Sequence, residues 1–168
     1  MGPWFERQKA TAPAVADSIH YVSAVTVINA SRQQVWDFIK PPENSVFLSP
    51  DVVRGFTAPG HEGAGELQIF ISVLDGVEHV SALEVVQEIP HELAVTRSVG
   101  GDDPAARGRT SLQIGDDGAT TLLEHGQYFT LPGDAAGCFE QYERHYKHFC
   151  RQYVERVKVF LEQSQVGI

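Results

Sequence analysis

The chain has 168 residues, 42% of them hydrophobic and 21% charged, a globular composition rather than that of a disordered segment. Twenty-two acidic side chains against 13 basic ones leave a net charge of -9 and a sequence pI of about 5.1. That balance argues against nucleic acid as a partner, because such affinity rests on clustered Lys and Arg, and anionic membranes should repel the same surface. No run approaches the roughly 18 apolar residues that span a bilayer, so no stable membrane insertion is expected.

The first residues lack the basic-then-apolar order of a signal peptide. Two cysteines, Cys138 and Cys150, give no disulfide framework. If both lie on one helix they stand about 18 Å apart, too far to bridge. Reduced thiols and the missing leader pattern together make the cytoplasm the expected compartment.

Residues 1–18 read as a poorly anchored arm, small and Pro-interrupted over Ala10–Ala16, and 19–165 as one domain. His20–Ile28 alternates and is rich in β-branched residues, as a strand should be. Ser31 is a candidate N-cap for a short helix whose apolar face is Val35, Trp36, Phe38 and Ile39. Pro41-Pro42 stops it, since proline lacks the N–H and restricts its predecessor. Glu43–Leu48 predicts a second helical turn.

Strands are predicted at Asp51–Phe56, Glu66–Leu74, Val77–Ile89, Leu93–Val99, Gly108–Ile114 and Thr120–Thr130. A Gly-rich turn over 59–65 precedes the second of these. Asp75-Gly76 and Asp116-Asp117-Gly118 are hairpin turns. From Asp134 the period becomes helical. Phe139, Tyr142, Tyr146, Phe149, Tyr153, Val157 and Phe160 recur every three or four residues, which makes a long amphipathic helix. Strand, two short helices, a run of strands and one long helix favour α+β with an antiparallel sheet.

This order resembles the SRPBCC superfamily, also called START-like or helix-grip, and within it the polyketide cyclase/dehydrase-like branch. The resemblance rests on Val25–Ile39, the Pro59-Gly60…Gly65-Glu66 turn, Val85–Pro90, Gly118–Leu122 and the terminal helix, and covers residues 20–164. It implies a curved antiparallel sheet of about seven strands wrapped around the C-terminal helix, with an apolar cavity between. It does not imply one chemistry, because a fold hosts many.

Taking the apolar residues of each strand as inward-facing selects Leu67, Ile69, Ile71 and Val73 on one strand. On the next it selects His79, Ser81, Leu83 and Val85, leaving Glu84 and Glu88 in water. Leu93 and Val95 then carry Arg97 inward, where it would anchor an acidic ligand group. His125 shares a face with Leu123 and Phe129 and is a weak candidate acid–base group, as is His79. The alternative for both is a histidine hydrogen-bonded within the core.

Tyr142 and Tyr146 belong to the aromatic stripe, where one hydroxyl would meet a ligand if the N-terminal half of the helix roofs the cavity. The expected ligand contacts are therefore Ile69, Ile71, His79, Leu83, Arg97, His125, Tyr142 and Tyr146.

Cys138, Gln141, His145 and His148 form a second stripe, but no CxxC or HExxH accompanies it. It reads as a solvated helix face, and no metal is expected. No GxSxG, P-loop or GxGxxG is present, and no cofactor is expected. Asp102, Asp103, Asp116 and Asp117 read as turn chemistry. The expected function is binding of a hydrophobic or aromatic, lipid- or polyketide-like small molecule. The alternatives are a polyketide cyclase/dehydrase-like enzyme using cavity His and Arg, and a protein-interaction module, a homodimer among its forms.

Overall fold

The computed structural model describes residues 18–101, 103, 105–131 and 137–164. Seven strands are β1 (Ser18–Ile28), β2 (Val52–Thr57), β3 (Leu67–Leu74), β4 (Val77–Ile89), β5 (Leu93–Ser98), β6 (Arg107–Ile114) and β7 (Thr121–Leu131). They form one antiparallel sheet in the order β1-β7-β6-β5-β4-β3-β2. Between β1 and β2 lie α1 (Arg32–Ile39), a 3-10 turn (Pro42–Asn44) and α2 (Ser45–Leu48), and the chain closes on α3 (Phe139–Ser164). This is the expected α+β helix-grip arrangement. Of the expected N-terminal arm, all but Ser18 lies outside the described residues, as does residue 165.

Local chemistry accounts for the element ends. Ser31 caps α1 in a reciprocal box: its hydroxyl accepts from the Gln34 N–H, and Gln34 Oε1 accepts from the Ser31 N–H. The β3–β4 hairpin turns through Asp75 and Gly76, both at positive φ. Such a two-residue turn matches the strand twist, and glycine takes that conformation without strain. Asp117 accepts from the Ala119 and Thr120 N–H groups and from the Thr120 hydroxyl, which closes the β6–β7 hairpin. Asp103 does similar work in its loop, accepting from the Ala105 and Thr130 N–H groups.

The core has two parts. Ile28, Val35, Phe38, Leu48, Leu112, Leu123, Val154 and Val157 join β1, α1, α2, β6 and β7 to the C-terminal half of α3. Val22, Phe129 and Leu131 make a smaller cluster under Phe139 and Tyr146. Helix α3 packs chiefly along β1 and β7. The concave surface of β3, β4 and β5 therefore has no helix pressed onto it, and this asymmetry leaves a hollow.

Candidate ligand-binding site

The hollow has a volume of about 430 Å³. Its floor is Phe70 and Ser72 of β3, Ser81, Leu83 and Val85 of β4, and Ala94 and Thr96 of β5. Phe149, Gln152, Tyr153 and Arg156 of α3 close one side, while Trp36, Ile39 and the α2 region close the other. Most of the exposed wall is apolar, but about half of the lining residues carry a polar group, and these are spread over the sheet, α3 and the α2 side.

One polar group is His125, which faces Thr110 across the β6–β7 ladder. Its Nδ1 lies 2.9 Å from Thr110 Oγ1, and its ring stacks on Tyr153 with centroids 4.0 Å apart. The ring meets the cavity yet is surrounded by protein. Desolvation of the charged form pushes its pKa down to about 4, so it is neutral at ordinary pH. Burial likewise drives the Tyr153 hydroxyl well above the usual phenol range.

A second polar locus gathers Lys40, the C-cap of α1, with Glu66, just before β3, and Glu88 of β4. Lys40 Nζ lies 2.9 Å from Glu66 Oε2 and 2.6 Å from Glu88 Oε2. Gln68 Nε2 donates to Glu66 Oε1 at 2.8 Å, and the Gly63 N–H donates to Glu66 Oε2. Burial alone would lower the Lys40 pKa, but the two carboxylates outweigh it and hold the ammonium above its ordinary range. Burial would raise the Glu66 pKa, but donation from Gln68, Lys40 and Gly63 keeps it below the ordinary range. Lys40 and Gln68 reach the cavity wall. At the α2 end, Arg156 Nη1 donates to the Leu48 carbonyl at 2.8 Å.

The expected contact residues divide. Leu83 and His125 line the cavity; Ile69, Ile71, His79, Arg97, Tyr142 and Tyr146 are not among its lining residues. The corrections have physical causes. On β3 the concave positions are Gln68, Phe70 and Ser72, so the branched Ile69 and Ile71 lie on the convex face. Apolarity misled because that outer face is itself half-covered and apolar.

His79 has the concave parity but sits near the hairpin tip, exposed. Arg97 pairs with Glu84 across the β4–β5 ladder on the convex face, where the two form an ion pair. Tyr146 stacks on Phe129 with centroids 4.6 Å apart, in the smaller core cluster, and Tyr142 is exposed. The middle of α3, rather than its N-terminal half, closes the cavity.

The Lys40 locus is absent from the sequence reading. Glu88 was expected in water, but a register shift between Val85 and Gln87 reverses the side-chain alternation. Beyond that bulge Glu88 pairs with Ala94, a cavity residue, and turns inward to Lys40. Glu66 and Gln68 are the first and third residues of the expected strand, but a polar pair at a strand end carries no signal of burial.

No protein-family model matches the chain, and no curated protein matches it significantly in sequence. Solved structures do match in shape. The two-domain aromatase/cyclase StfQ of the steffimycin biosynthetic pathway superposes with a TM-score of 0.69 at 10% identity, over 89% of this chain and 52% of that one. A START superfamily protein from Mycobacterium smegmatis gives 0.65 at 16% identity, over 86% of this chain and 98% of that one. The chain has the START-like helix-grip fold. Norcoclaurine synthase from Thalictrum flavum, solved with dopamine and hydroxybenzaldehyde, shares this helix grip with a TM-score of 0.67 at 9% identity, over 89% and 90% of the two chains. Among the described residues, no helix of this helix-grip chain is long and apolar enough to cross a membrane.

Proposed function

We propose that residues 19–165 form a single binding domain that holds a hydrophobic or aromatic small molecule between the sheet and α3. The cavity carries this reading. Its volume of about 430 Å³ falls in the range typical of small-molecule sites, and its wall combines mainly apolar surface with interspersed polar groups. A naphthalene-sized guest burying about 200 Å² of apolar surface gains about 5 kcal/mol before association costs. Neighbours in shape, one solved with dopamine and hydroxybenzaldehyde and one an ARO/CYC protein of steffimycin biosynthesis, support the same ligand class.

An enzyme of the cyclase type is the second reading, favoured by His125 on the cavity wall. Its neutrality at ordinary pH makes it a poor proton donor, and neither His79 nor Arg97 stands in the lining. Binding is therefore ranked first.

The test is titration with N-phenyl-1-naphthylamine, a neutral dye whose emission rises in apolar surroundings, alongside native mass spectrometry of freshly purified protein. Saturable enhancement is expected, weakened at least tenfold by Leu83→Trp, which fills the floor. Absence of saturable binding, or an indifferent Leu83→Trp variant, refutes the reading.

A further inference from the structure

The lysine at the cavity wall looks like an anchor for a ligand carboxylate, but its surroundings argue the opposite. Lys40 already contacts two carboxylates, at 2.9 and 2.6 Å. One positive and two negative charges leave this locus with a net charge of -1. Glu88 Oε2 is buried, and its compensation comes from the Lys40 ammonium 2.6 Å away. A ligand carboxylate that drew the ammonium toward itself would strip that compensation from a buried oxygen, a costly exchange.

The remaining hydrogen-bonding capacity at this locus is neutral in character. The Gln68 amide nitrogen is spent on Glu66 Oε1 and the Lys40 carbonyl, while its Oε1 accepts from no described residue. An ammonium has three donors, and two Lys40 contacts leave one for the cavity. One acceptor beside one donor suits a hydroxyl, which can use both, or a carbonyl, which can take the donor.

His125 adds no positive charge at neutral pH. Arg156 is the remaining cation on the wall, tied to the Leu48 carbonyl and accompanied there by Asp51. Resting on the cavity reading above, we infer that this site selects neutral aromatic or alicyclic ligands bearing a hydroxyl or carbonyl group, and discriminates against carboxylates of the same shape. Glu66 and Glu88 set that selectivity through Lys40.

Isothermal titration of the full chain with 2-naphthol and 2-naphthoate at neutral pH tests this, because the two share a skeleton and differ in charge. The naphthol is expected to bind at least tenfold more tightly. In Glu88→Gln, which leaves Lys40 one carboxylate, the naphthoate-to-naphthol affinity ratio is expected to rise about tenfold. Should that variant fail to fold, the wild-type comparison decides alone. Equal or tighter naphthoate binding by the wild type overturns the inference while leaving the cavity reading intact, with Arg156 as the anchor. Binding of neither probe overturns the cavity reading and this inference together.

Discussion

Acidification should reveal His125 directly. The residue is neutral in the folded chain down to a pKa of about 4, against an ordinary value of 6.5, because burial penalises the imidazolium. The unfolded chain takes up its proton first as pH falls. Stability from this group is thus complete above about pH 6.5 and is lost progressively between there and pH 4. The gap, at about 1.4 kcal/mol per decade of proton affinity, amounts to about 3 kcal/mol in full and about 2 kcal/mol by pH 5.

Other histidines and carboxylates also titrate, so a difference measurement is needed. His125→Phe preserves a ring against Tyr153 and removes the titrating group. At pH 7 it should cost about 1 kcal/mol, for the lost contact with Thr110. Urea unfolding of both proteins at pH 7, 6 and 5 should show the wild type losing about 2 kcal/mol more than the variant by pH 5. Parallel stability curves for the two would refute the reasoning, as would an imidazole resonance of His125 titrating near pH 6.5 in the folded protein.

Two further outcomes follow from the same geometry. Lys40→Met should destabilise by about 3 kcal/mol at neutral pH, because Glu66 and Glu88 lose their cation. Lys40 helps hold the Glu66 pKa below the ordinary range, and without it Glu66 would protonate more readily, so this deficit should shrink as pH falls toward 4; a deficit independent of pH in urea unfolding contradicts the charge argument. Gly55→Ala should destabilise by about 2 kcal/mol or more, since a Cβ there would clash with the Pro42 carbonyl oxygen, backbone that cannot rotate away. Its neighbour Val53→Ala, at an exposed position, should stay within about 0.5 kcal/mol, and comparable losses for the two would exclude the steric cause.

The order of elements, most of their bounds and the helix-grip plan are legible in the amino-acid sequence alone. These depend on local signals: the Ser31 cap, the Pro41-Pro42 stop, the Asp75-Gly76 turn, and the change of period from two to about three and a half at the last helix. The sequence also placed Leu83 and His125 on the inner face, because both lie on strands where alternation runs unbroken past them to a buried core residue, Val85 or Leu123.

Which face of β3 and β5 is inner, and which part of α3 meets the cavity, emerges only once the chain is packed. Period-two patterns carry no sign, so Ile69 and Ile71 look inward until the sheet's curvature shows that Phe70 and Ser72 are. A bulge at β4 reverses the pattern after Val85, and no residue there announces it. The Lys40–Glu66–Glu88–Gln68 cluster comes from the end of α1, the start of β3 and from β4, separated by up to 48 positions in sequence. Only the register of the sheet brings those charges together, because the desolvation that fixes their role exists only once the chain is packed.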